Sequence, residues 1–347
     1  MLATAGRSGK RPTIVDVARA AGVSPTTVSH SLNGRGYVDP RTRERVVAAA
    51  QELGYRPSLR AQRLRAGSAR TIGLVSSMPV AVAGGASRLG FFMEVAAAAA
   101  EAALTHGFAM VLVPPLESTP SLAQFDIDGA IVVEPEQDDV ATAQLRELGI
   151  PVVSIGRQPG AEAEVPYVDA QASLTGRLLL DHLHDQGSRS IALLTGAGRR
   201  HSYVEMSAVY DGFVAERGLD AVVARVDEHA GEDGGYAAMR TLLRDHPGLD
   251  GLCAPVDAFA VGAVRALAEE GRRVPDDVRV VTRYSGVRAR TCRPPLTAVD
   301  MHLDELSALA VGLLLERLRG DSSRPAVAGP PPVLIPRESS MLPTPTG

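Results

Sequence analysis

The sequence predicts an α/β protein of two unlike parts: a small basic three-helix segment, then a large body of two parallel, doubly wound sheets. Three observations carry this reading. Residues 1–70 hold 13 Lys and Arg against four acids, a net +9, whereas the other 277 residues are net −13. Helix start and stop signals crowd residues 13–54. From Thr71 onward short apolar runs alternate with helical stretches, the pattern of parallel sheets covered on both faces.

Residues 1–12 are small, polar and basic and read as a flexible arm. Thr13 then caps a first helix with Asp16 three residues on, and Ile14, Val17, Ala18 and Ala21 recur at helical spacing until Gly22 stops it. Ser24-Pro25 starts a second helix, Ser as cap and Pro where its missing N–H costs nothing. Val28 and Leu32 are its inward pair, and Thr26, Thr27, Ser29, His30 and Asn33 are all small hydrogen-bonding residues. Asp39-Pro40 opens a third helix ending near Gly54, with Val46, Val47, Ala50 and Leu53 inward. Two short helices joined by a glycine turn, then a third, form a helix-turn-helix. A polar helix face flanked by arginines suits the major groove, where side chains must be small and must read base edges. A solvated basic face on a generic bundle is the plainer alternative, and it needs no such face.

The stretch TIVDVARAAGVSPTTVSHSLNGRGYVDPRTRERVVAAAQELGYRPS closely resembles the headpiece of the lactose-repressor (LacI/GalR) family of bacterial transcription regulators. The matching signatures are T-x-x-D-V-A-x-x-A-G-V-S at 13–24, T-V-S at 27–29, Asn33, V-x-x-x-T-R at 38–43 and L-G-Y-x-P at 53–57. The resemblance implies a DNA-binding headpiece over 13–57, followed by a linker over 58–70 whose segment Ser58 to Arg65 folds into a hinge helix on the operator. It implies DNA contacts by Thr13, Ser24, Thr26, Thr27, Ser29, His30, Asn33, Arg35, Tyr37, Tyr55 and Arg63. Leu64 would be levered into the minor groove, where an apolar wedge kinks the duplex.

In the body, expected strands are Ile72–Ser76, Ala109–Val113, Gly129–Val133, Val152–Ile155, Ile191–Thr195, Val222–Val226, Gly251–Ala254 and Val278–Val281. Helices fall between most of them, notably Phe91–His106, Gln171–Asp185, Val204–Arg217, Ala237–Asp245 and Val256–Glu270. This core is similar to the two-lobed periplasmic-binding-protein-like body of the same family. Its signatures are D-G-A-I at 128–131, V-D at 168–169, D-H-L at 181–183, G-x-R-x-I-A at 187–192 and P-P-L-T at 294–297. The core spans 71–325, with an N-lobe of about 71–168 and 299–325 and a C-lobe of about 169–298. Residues 326–347, rich in Pro and Ser, read as a C-terminal extension.

Several function classes recede. No apolar run reaches the ~18–20 residues of a membrane helix, and Phe91 to Leu104 is broken by Glu94 and Glu101. No signal peptide is visible. Cys253 and Cys292 are too few for a disulfide framework or a cysteine zinc site. Gly196-Ala-Gly198 lacks the third glycine of a dinucleotide fingerprint, and His182 and His184 point to different helix faces. The expectation is a cytoplasmic, nucleoid-associated regulator with no enzymatic activity, metal or cofactor.

The resemblance places an effector between the lobes, and there this sequence departs from the family. Three polar positions that hold a sugar's hydroxyls correspond to Val209, Val256 and Tyr284, and the family's Asp-Arg after the fourth strand is Gly156-Arg157. Phe91, Phe92, Asp257 and Arg283 complete the expected lining. A site built for hydroxyls depends on its hydrogen-bonding groups. A simple hexose is therefore disfavoured, and a less polar, aromatic or anionic effector is expected. The partners implied are double-stranded operator DNA, a second copy of the chain (a tetramer stays open) and an unidentified small molecule. The alternative is an architectural DNA-binding protein, or a regulator with a vestigial, effector-independent core.

Overall fold

The computed structural model describes residues 12–33, 37–55, 68–83, 90–113, 121–321 and 323–341. It divides into two compact units, residues 1–69 and 70–347.

In the first unit, α1 spans Ile14–Ala21, α2 Pro25–Asn33 and α3 Pro40–Glu52. Asp16 folds back on Thr13 and accepts from both its N–H (2.9 Å) and its hydroxyl (2.7 Å). Gly22 ends α1 in the left-handed region at φ 64°. Ser24 Oγ accepts from the Thr27 N–H at 3.1 Å, and Asp39 accepts from the Thr42 N–H at 3.1 Å, so α2 and α3 are both capped by side chains. Val17, Ala18, Ala21, Val28, Val46, Ala49 and Ala50 form a small core of their own. Two expectations shift here. Ala49 is buried in place of Leu53, which is 37% exposed, and Val47 is only half-buried. Leu53 is the C-cap residue, just past the last residue of α3.

The second unit holds two six-stranded sheets. Strands β1 (Thr71–Ser76), β2 (Ala109–Val113), β3 (Gly129–Val133), β4 (Val152–Ile155), β5 (Tyr167–Asp169) and β11 (Ala326–Ala328) build the N-lobe in the order β11-β5-β4-β3-β1-β2. Strands β6 (Ile191–Gly196), β7 (Val222–Val226), β8 (Gly251–Cys253), β9 (Arg279–Tyr284), β10 (Thr297–Asp300) and β12 (Val333–Ile335) build the C-lobe in the order β12-β10-β9-β8-β6-β7. All pairings are parallel except β10 with β12. The helices are α4 (Val80–Ala83), α5 (Phe91–Thr105), α6 (Val140–Glu147), α7 (Ala172–Asp185), α8 (His201–Arg217), α9 (Gly231–Asp245), α10 (Asp257–Glu269), α11 (Val287–Thr291) and α12 (Leu303–Leu318). Strands β3, β4 and β6 are buried throughout, as expected of sheets sandwiched by helices.

Helix α9 begins six residues before the expected Ala237, and it does so through glycines. A Cβ on Gly235 would stand 2.4 Å from the Phe259 carbonyl oxygen, and one on Gly262 would stand 1.9 Å from that of Glu232. Gly235 and Gly262 are the contact by which α9 and α10 pack backbone to backbone.

The chain passes between lobes after β5, after β10 and after β11. The first two passages share one device. Asp169 accepts from the Gln171 N–H at 2.8 Å, Asp300 accepts from the His302 N–H at 2.9 Å, and both Gln171 and His302 take positive φ, 52° and 50°.

Residues 326–341 are not an appended tail. Strand β11 extends the N-lobe sheet and β12 the C-lobe sheet, and Ser339 and Ser340 beyond them are fully buried. Ser339 Oγ accepts from the Thr297 N–H at 2.8 Å, its carbonyl accepts from the Val280 N–H at 2.9 Å, and Ser340 Oγ meets His182 Nε2 at 2.7 Å. The Pro and Ser content reflects edge pairing and side-chain hydrogen bonding rather than looseness.

Candidate nucleic-acid interface and inter-lobe cleft

Helix α2 has one side fixed in the headpiece core by Val28, while Thr26 and His30 are exposed on the other. Ser24 and Thr27 are differently engaged: their hydroxyls pair at 2.9 Å as part of the helix cap. Thr13 is exposed beside its Asp16 partner, Ser29 and Tyr55 are half-buried, and Tyr37 is 96% exposed. The Asn33 side chain, Arg35, Arg63, Leu64 and the expected hinge helix lie outside the described residues. The geometry thus leaves Thr26, His30 and Tyr37 as groups free of the core and able to meet a duplex.

In the body, the C-terminal end of β9 and the segments past β1, β3, β6 and β8 converge on a cleft between the lobes, the position where open parallel sheets bind ligands. Its wall is Met78, Val82, Phe91 and Glu134 from the N-lobe, with Ser202, Tyr203, Pro255, Val256, Asp257, Arg283 and Tyr284 from the C-lobe. The cavity they leave is only about 30 Å³, room for one or two waters.

Charged side chains line the cavity and bind the groups that surround it. Arg283 Nη2 donates to Glu134 Oε1 at 2.9 Å, and Ser202 Oγ donates to Glu134 Oε2 at 2.7 Å. Arg200, 1% exposed, donates to Glu228 (2.9 Å from both Nε and Nη2), to Ser77 Oγ at 3.1 Å and to the Glu134 carbonyl at 2.5 Å. Glu228 also accepts from the Tyr203 hydroxyl. Arg288 donates to the Ala81 and Val82 carbonyls at 2.6 and 3.1 Å and to Asp257 at 3.3 Å. Burial opposes ionisation of Glu134, but the Arg283 charge and the hydrogen bonds from Ser202 and Arg283 outweigh it and hold the carboxyl below its ordinary range. Burial raises Asp257, and Arg288 offsets only part of that rise.

Of the expected effector residues, Phe91, Val256, Asp257, Arg283 and Tyr284 come together at the cleft. Phe91 and Tyr284 meet edge to face with centroids 5.4 Å apart, and the Arg283 guanidinium lies 5.8 Å from the Phe91 ring centre. The Tyr284 hydroxyl is buried near the Glu94 carboxylate, and burial together with that neighbour pushes it well above the ordinary phenol range. Phe92 is instead core, Val209 packs towards Gly176 of α7, and Arg157 stacks over Tyr167 at 5.2 Å, so none of the three lines the cavity. Beside them stand polar groups that motif reading passed over: Glu134 and Ser202 line the cavity, and Arg200 and Arg288 bind the groups around it. Their signal was positional, since each follows the C-terminal end of a strand.

A helix-turn-helix followed by a two-lobed cleft defines the class, a DNA-binding transcriptional regulator. A family model described as bacterial regulatory proteins, lacI family, matches residues 13–58, and a periplasmic binding protein-like domain matches residues 180–340. The HTH-type transcriptional regulator CelR of Thermobifida fusca is 32% identical over 326 residues, 91% of this chain and 94% of its own. The ribose operon repressor of Halalkalibacterium halodurans is 32% identical over 320 residues, 88% of this chain and 90% of its own. Among solved structures, a lac repressor dimer bound to operator and the anti-inducer ONPF matches with TM-score 0.77 at 25% identity, covering 96% of this chain and all of that one. A CelR–cellobiose complex matches with TM-score 0.70 at 30% identity over 95% of this chain and all of that one. The chain belongs to the lacI family of bacterial regulatory proteins.

Proposed function

We propose that the chain is a homodimeric repressor that binds a palindromic operator through α2, with its operator affinity set by a small molecule held in the cleft. The observation that carries the DNA side is the pair of exposed polar residues, Thr26 and His30, on a helix whose opposite side is locked in the core. Base-edge contacts specify and phosphate contacts position. Thr26 and His30 read bases, Thr13, Tyr37, Tyr55, Arg35 and Arg63 hold the backbone, and Leu64 acts as the minor-groove wedge. Dimerisation follows from economy of recognition, since one headpiece covers too few base pairs for genomic specificity. The relatives favour this regulator over an architectural DNA-binding protein. Such a protein works in the cytoplasm at the nucleoid.

For the effector, relatives whose names and titles carry cellobiose and ribose point to small polar molecules. Here Val256 and Tyr284 face the cavity, and the charged groups around it are already paired. That arrangement disfavours a neutral hexose. A ligand shifts operator affinity by its differential affinity for the two lobe arrangements.

The test is selection of sites from a random duplex pool, then competition against random DNA at fixed salt. A selected site should win by about 10³ or more, as specific binders do. A preference below about tenfold would overturn the reading.

A further inference from the structure

The cleft contains one charge pair that both crosses between lobes and lines the cavity, Glu134 with Arg283. Glu134 is 3% exposed and sits at the end of β3 with φ 50°, a left-handed backbone conformation that a residue with a side chain seldom adopts. That conformation is held by two bonds, the Glu134 N–H to the Ile155 carbonyl at 2.8 Å and Arg200 to the Glu134 carbonyl at 2.5 Å. The strained backbone thus aims a carboxylate across the cleft at a guanidinium that also rests against the Phe91 ring.

Resting on the reading of the cleft as the effector site, we propose that Glu134 is a built-in stand-in for the effector. Its carboxylate occupies Arg283 and draws the lobes together; the effector is a small hydroxy acid whose own carboxylate replaces Glu134 on Arg283. The hydroxyls of such an acid supply donors for the displaced Glu134, which otherwise keeps only its Ser202 bond, and for Asp257, which Arg288 meets at 3.3 Å. A neutral sugar offers Arg283 only uncharged acceptors. Charge-assisted bonds are about twice as strong as neutral ones, so a neutral sugar competes poorly with Glu134. The remaining cavity of about 30 Å³ is too small for such an acid while that pair is closed.

The experiment is calorimetric titration of the full chain at fixed ionic strength with gluconate, glucuronate, glucose and cellobiose. One of the acids is expected to bind at least about tenfold more tightly than either neutral sugar. Glu134→Gln removes the internal competitor and should tighten acid binding, whereas Arg283→Gln should erase the preference for acids. If Glu134→Gln does not fold, Ser202→Ala serves in its place, because it removes only the second hydrogen bond holding that carboxylate. Acid binding to the variant alone, and not to the unmodified protein, also supports the exchange. Neutral sugars binding as tightly as acids, weaker acid binding in Glu134→Gln, or acids binding neither protein would overturn it. A nucleoside or neutral sugar that shifts operator affinity, with the shift lost in Asp257→Ala, would leave the effector site standing and defeat this inference alone.

Discussion

The headpiece face and the cleft present their chemistry in opposite ways. On α2 the working groups are exposed, polar and local in sequence, and the helix beneath them is held by a seven-residue core and the Ser24 cap. In the cleft they are buried, drawn from segments more than a hundred residues apart and bound to one another in charge pairs. Substitution on the first surface should therefore alter binding with little effect on folding. In the cleft, function and stability should move together, because removing one partner strands the other's charge.

The sharpest test of that contrast, and the largest effect, is Arg200→Ala. It leaves Glu228 and the Tyr203 hydroxyl buried against each other without their cation. Breaking a buried pair from one side costs about 3–5 kcal/mol, which denaturant unfolding of the body should register. A loss below 1 kcal/mol would mean that the pair is far better solvated than its burial implies. Next in size is His30→Ala, expected to cost about 1–3 kcal/mol on the best operator with the unfolding midpoint unchanged. Equal loss on every duplex would move His30 from reading to positioning. Ser24→Ala should lower headpiece stability by about 1 kcal/mol through the lost cap, and a headpiece melting curve that does not shift would show that Thr27 or solvent replaces it.

The smallest effect near neutral pH concerns the two cleft carboxylates, whose signs oppose. Glu134 is held below its ordinary value of 4.5, so its contribution is intact above that pH and is lost as pH falls through the folded-state value. Asp257 is raised above 3.8, so it weakens the fold once ionised and relieves it on acidification. Stability measured from pH 7 down to pH 3 should fall less steeply in Glu134→Gln than in the unmodified chain, and more steeply in Asp257→Asn. Parallel curves would contradict both assignments.

The same contrast explains what was legible. Each cap lies within three residues of the group it binds, so Thr13, Ser24 and Asp39 cap as the sequence implies, and Thr26 and His30 are exposed on one face of a single helix. The alternation of strands and helices was likewise readable. Strands β5, β10, β11 and β12, three or four residues each, have no pattern of their own and exist because an edge or neighbouring strand accepts them. Glu134 shows the limit most clearly. Read locally, an acid before Pro135 is a turn residue; its meaning comes from Arg283, 149 positions away.

The woven C-terminus has a consequence for how this chain must be made. Neither lobe is a continuous piece of sequence, and the last strand of each lies within residues 326–335. A ribosome delivers those residues after every other strand of both lobes, so both wait on the same short stretch for their final edges. Domains that close as they emerge escape that delay. A premature stop near residue 325 would not shorten a tail. It would leave His182 and the Val280 and Thr297 amides of the C-lobe without the serines that satisfy them, presenting quality-control proteases with a chain that cannot finish either half.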